Sequence, residues 1–165
     1  MITRAAKVLL VAGVALYYAL VVFNNLTDFD SNYHFVQHVL RMDTTFPGNR
    51  AMWRALPWPG AQLAFYLGII AWEAATTVLL GWAVARLARA LRGPASGFNG
   101  AKGMAVMALT VSLAMWLVAF LSVGAEWFLM WQSRDWNGQE AAFRMFAVVG
   151  LVLLLVLQPD AEGQP

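Results

Sequence analysis

Four separated apolar runs decide what this chain can fold into. They cover about residues 8–24, 61–83, 103–130 and 141–157. Each approaches or exceeds the roughly 17–25 residues that a helix needs to cross a hydrocarbon layer about 30 Å thick. Lipid offers no partner to a backbone amide, so runs of this length must be helices and not strands. Composition agrees: 12% of the 165 residues are charged, against about 25% in a soluble domain. The reading is an all-α integral membrane four-helix bundle, one domain over residues 1–165. An outer loop covers 25–60 and a cytoplasmic loop 84–102. Arg4 and Lys7 precede the first run, which is longer than the apolar part of a secretory signal. No small-x-small cleavage site follows it, so a retained helix is expected. From Gln158 onward the chain reads as a short polar tail, expected to be disordered.

Several function classes fall away early. Cysteine is absent, which removes disulfides, thiolate chemistry, iron–sulfur ligation and covalent haem attachment. A net charge of +2 without a basic run among aromatics gives no footprint for nucleic acid. Orientation follows the Lys/Arg bias of the short connections. Arg4, Lys7, Arg86, Arg89, Arg92 and Lys102 stand against Arg41, Arg50, Arg54, Arg134 and Arg144. The first set is the denser, so a multi-pass chain with both termini on the cytoplasmic side is expected. Trp53, Trp58, Trp127, Trp131 and Trp136 then share the outer rim, where indole sits well at headgroup level.

Polar residues inside the runs suggest a seam. Glu73 falls near the middle of the second run, where a carboxylate costs at least roughly 2.5 kcal/mol and should face the bundle. Gln62, Tyr66, Glu73 and Thr77 fall on one helical stripe, with Thr76 beside it. In the third run Ser112, Ala119, Ser122, Glu126 and Ser133 form a matching stripe, and Gly13, Tyr17 and Asn24 do so in the first. Glu126 and Arg144 lie at similar depth and could pair. Two further readings stay open for Glu73 and Glu126: a proton or cation path, or a polar headgroup or quinone site. The fourth run is apolar all round after Arg144, so it is expected to face lipid or another subunit.

The first outer loop carries both histidines. Ser31 to Asp43 has the pattern of a short amphipathic surface helix, with Ser31 as its cap and Arg41 in its last turn. His34, Gln37, His38 and Arg41 form its polar face; Val36, Val39 and Leu40 form the apolar one. His34 and His38 have the i, i+4 spacing of paired metal ligands, although a third ligand must come from Asp28, Asp30, Asp43 or Asp135. The simpler reading places the pair on a solvated or partner-facing surface. Asn24, Asn25, Asp28, Asp30 and Asn32 are read as groups that satisfy amides freed between two helices. With Trp131, Gln132 and Trp136 of the last outer connection, these residues make an expected outer cap. No cofactor is expected; a metal ion, haem and a quinone are the alternatives.

Two blocks resemble a known family. One is Asn24-Asn25-x-Thr27-Asp28 followed by Phe35-Val36-x-His38-Val39-Leu40-x-Met42-Asp43-Thr44-Thr45-Phe46. The other is Glu126-Trp127-Phe128-x-Met130-Trp131-Gln132-Ser133, then Trp136-Asn137-Gly138-Gln139 and Ala142-Phe143-Arg144. Both are similar to the bacterial predicted small integral membrane proteins. The resemblance implies a four-helix inner-membrane protein and assigns no residue a catalytic role. The sequence-level expectation is therefore a non-catalytic accessory or assembly subunit, partnered by lipid and by other membrane subunits or its own copies. A small transporter using Glu73 and Glu126, or a metal-, haem- or quinone-binding redox component, is the alternative.

Overall fold

The computed structural model describes residues 1–161, and among them every regular element is helical. Helix α1 spans Ile2–Thr27, α2 Phe29–Arg41, α3 Pro59–Ala90, α4 Ala95–Ala114 and α5 Gln139–Leu157. Beyond Ala114 the α4 axis continues as a π-helix, Met115–Trp127. Single 3₁₀ turns lie at Met52–Arg54 and Met130–Gln132. Four of these helices are long and apolar enough to cross a membrane: Ile2–Thr27, Pro59–Ala90, Ala95–Trp127 and Gln139–Leu157.

The helices outrun their apolar cores for local reasons. Arg86 and Arg89 are good helix formers, so α3 continues through them, and the basic connection shrinks to Leu91–Pro94. Pro94 disfavours helical geometry at Gly93 and so ends the connection, while Pro59 sits at the first position of α3, where its missing N–H costs nothing. Only Asp28 separates α1 from α2. Its φ of −127° breaks the helix, and the Ser31 hydroxyl donates to its carboxylate at 2.8 Å. Helix α2 thus starts at Phe29, two residues before the sequence-expected Ser31. In the loop, Pro47-Gly48 forms a tight turn: Gly48 adopts φ +76°, which only glycine takes freely, and Asn49 N–H bonds Phe46 O.

The chain divides into two compact units, each drawing on all four long helices. Unit 1 comprises Met1–Val21, Glu73–Leu113 and the chain from Ala147 onward. Its core is a set of three- and four-residue repeats: Val11, Val14 and Tyr18 of α1, Leu80, Ala83 and Leu87 of α3, Ala101, Ala105 and Ala108 of α4. Small side chains let α4 approach its neighbours closely. Helix α5 is apolar all round, and its face is chosen by size: Val149, Val152 and Val156 are buried, while Leu151, Leu154 and Leu155 are exposed.

Unit 2 comprises Val22–Trp72 and Ala114–Phe146. Val36, Val39 and Leu40 of α2 pack with Tyr66, Ile70, Ala125, Phe128 and Met130. Phe29, Tyr33 and Tyr66 form an aromatic stack with centroids 4.7 and 5.7 Å from Tyr66. The loop returns to α2 where Leu56 N–H bonds Leu40 O at 2.8 Å. Arg54 lies between Trp53 and Trp127, its guanidinium 5.3 and 5.0 Å from the rings.

Candidate functional site: an apolar cavity beside the π-helix

Unit 2 holds a cavity of about 490 Å³. Helix α2 supplies Phe35, Val36, Val39 and Leu40; α3 supplies Ala64, Phe65, Gly68, Ile69 and Trp72. The third wall is the π-helix, through Val118, Ala119, Phe120, Val123 and Gly124. A π-helix bonds i to i+5, as in Phe128 N–H to Val123 O at 3.0 Å. Such stretches are rare beyond one turn and concentrate at functional sites. The wider coil carries successive side chains round the axis more slowly than an α-helix, which changes which residues face the cavity. The lining offers almost no polar surface. Such a lining can hold a guest only by dispersion and exclusion of water.

Polar side chains surround α2 on its other faces. Gln37 Nε2 donates to Gln62 Oε1 at 3.3 Å, and Gln62, fully buried, donates to Leu56 O at 2.8 Å. Asn25 Oδ1 accepts from Asn32 Nδ2 at 2.7 Å and from the Tyr66 hydroxyl at 3.2 Å. His38 Nδ1 lies 3.0 Å from both carboxylate oxygens of Asp43, and its ring stacks on Trp136 at 4.5 Å. His34 is exposed and pairs instead with Gln37 Oε1 at 3.1 Å, so the two imidazoles serve different partners. Among the described residues no three His, Asp or Glu side chains form a group able to hold a metal. Across the cap, Thr44 donates to Ser133 Oγ at 2.8 Å and Phe46 N–H to Gln132 Oε1 at 3.1 Å. Trp131 and Asp28 are exposed and Arg41 is half-buried.

The seam expected from sequence is only partly assembled. Helix α3 buries Gln62, Tyr66, Glu73 and Thr76 and half-buries Thr77, whose hydroxyl bonds Glu73 O. In α1 the expected face is one residue out: Asn25 and Tyr18 are buried, whereas Asn24 is exposed and Tyr17 half-buried. In the third span Ser112 is buried, bonded to the Tyr18 hydroxyl at 2.7 Å. Ser122 and Glu126 are exposed, because the α-helical spacing that aligned them with Ser112 fails in the π-helix. Ser122 instead bonds back to Leu117 O. Arg144 is exposed as well, and among the described residues no ion pair joins it to Glu126.

Unit 1 holds a second polar cluster that the sequence reading passed over. Lys7 and Lys102, counted there only as loop charges, are buried. Each donates to Gln158 O at 2.6 Å, and each contacts Asp160 Oδ2, at 2.7 and 2.5 Å respectively. The expectation of a disordered tail is therefore corrected for residues 158–161; the rest of the tail lies outside the described residues. Acidic residues just past the last span were the available signal, since a helix end presents carbonyls that buried cations seek.

Residues 3–159 match the family described as "Predicted small integral membrane protein (DUF2165)". The chain belongs to that family. Its four membrane-length helices agree with an integral membrane protein. No curated protein and no solved structure matches the chain.

Proposed function

We propose that this protein is a non-catalytic component of the bacterial cytoplasmic membrane that holds the hydrocarbon chain of a membrane lipid in the unit 2 cavity. The observation that carries the reading is the cavity itself: about 490 Å³, almost wholly apolar, and walled by α2 and by two membrane-length helices. Its size lies within the roughly 300–1,000 Å³ of small-molecule sites. In a bilayer the molecules available to fill such a space are acyl and isoprenoid chains. Both termini on the cytoplasmic side, and service as an accessory or assembly subunit of a larger complex, complete the proposal. The Lys/Arg bias of the connections supports the first, and the absence of any reactive group in the cavity lining supports the second.

Gly68→Leu tests it. A Cβ at Gly68 meets nothing within 4 Å, so the leucine can enter the cavity. Removing a glycine from a helix interior should also add roughly 0.5–1 kcal/mol of stability. Native mass spectrometry after mild detergent extraction should show a lipid adduct on the wild type and its loss in Gly68→Leu, with melting unchanged or raised. Equal lipid occupancy in the two proteins rejects the cavity as the site. A lone monomer under every mild condition counts against the accessory role.

A further inference from the structure

Residues 158–161 lie beyond α5, which ends at Leu157, and Pro159 prevents its continuation. Their position is set from outside, in the manner of a bound peptide. Asn99 reads the backbone of Asp160 on both sides: its Nδ2 donates to Asp160 O at 2.9 Å, and its Oδ1 accepts from Asp160 N–H at 3.1 Å. Lys7 from α1 and Lys102 from α4 read the carboxylate and the Gln158 carbonyl together. Arg4 donates to Ala161 O at 3.2 Å and is anchored on Gly93 O at 2.8 Å. Beside the segment runs a cavity of about 340 Å³, bordered by Thr3, Ala6, Leu10 and Leu155, so its packing on that flank is incomplete. Backbone clamp, paired cations for one carboxylate, and an occupant without secondary structure are the elements of peptide recognition.

We propose that Asn99, Lys7 and Lys102 form a docking site for a short acidic peptide segment, and that residues 158–161 of the same chain occupy it as a displaceable strap. The chemistry selects an aspartate after a proline, with the carboxylate between two ammonium groups and the main chain on Asn99. Tethering gives the strap an effective concentration in the millimolar range. A competing segment, the same tail on a second copy of this chain, therefore gains access only when the strap is weakened.

The test uses the full chain and a fluorescent peptide with the sequence of residues 157–161. Asp160→Asn weakens the strap and leaves Asn99, Lys7 and Lys102 in place. It should bind the peptide at least about tenfold more tightly than the wild type does. The same peptide carrying Asn for Asp should lose that binding, as should Asp160→Asn combined with Lys102→Met. Equal binding by wild type and variant, or equal binding of the two peptides, overturns the proposal. Should Asp160→Asn not fold, hydrogen exchange on the wild type decides. Strap amides that exchange by local opening, well below the protection of the α4 core, support a displaceable strap. Amides that open only with α4 overturn it.

Discussion

Asn25→Ala is expected to destabilise the protein by about 2–3 kcal/mol, while Asn24→Ala stays within about 0.5 kcal/mol. Asn25 is 3% exposed, and its Oδ1 accepts from both Asn32 and the Tyr66 hydroxyl; Asn24 faces outward. Truncating Asn25 removes an acceptor from the hydroxyl of a tyrosine that is itself 1% exposed. Losing that buried hydrogen bond, together with the one from Asn32, carries most of the cost, whereas removing both partners together is nearer to neutral. Tyr66→Phe in the Asn25→Ala background should therefore recover part of the loss, giving a coupling energy of about 1 kcal/mol or more in a double-mutant cycle. Thermal unfolding in one detergent, by tryptophan fluorescence, measures the four proteins of the cycle and Asn24→Ala. A larger loss at Asn24 than at Asn25 would contradict the placement of this network.

The asparagine pair also marks how far the sequence could be read. Counting apolar residues against bilayer thickness located all four spans, because lipid forces helicity on any run of that length. Which face of a span turns inward is a weaker signal, since both faces are apolar. In α1 the polar residues Tyr17 and Asn24 suggested one stripe, while packing chose Val11, Val14, Tyr18 and Asn25, a step away. Helix α3 was easier: Glu73 in mid-span has a strong reason to be covered, and it fixes the phase for Gln62 and Tyr66.

Other features were not legible from local pattern. The π-helix from Met115 to Trp127 is built from ordinary helix-compatible residues, and nothing in their propensities marks a change from 3.6 residues per turn. Any stripe drawn through it was bound to drift, which moved Ser122 and Glu126 outward and left the cavity unforeseen. Lys7 and Lys102 were likewise read by the rule for exposed loop charges. Both are covered because a distant carboxylate comes to them, and a contact across more than 50 residues leaves no local pattern.

That carboxylate gives the second large effect. Asp160→Ala should lower stability by about 3 kcal/mol at neutral pH, the lower end of the range for breaking a buried pair. The freed strap lets both ammonium groups reach water, which limits the penalty. Replacing all three charges at once, with Lys7→Met, Lys102→Met and Asp160→Leu, should be much closer to neutral, since apolar substitutes remove the need for a partner. The acid dependence has a definite sign. Burial alone pushes the Asp160 carboxyl toward its neutral form, but hydrogen bonds and charges from Lys102 and Lys7 outweigh it and hold its pKa below the ordinary value. A group whose folded-state pKa is depressed contributes fully above its unfolded value, about 3.9, and loses that contribution as pH falls through the folded value. The gap in melting temperature between wild type and Asp160→Asn should therefore be constant from about pH 5 to 7 and close in stronger acid. A gap that persisted unchanged in acid would mean that Asp160 acts through its shape and backbone, and that the two lysines are neutralised by other means.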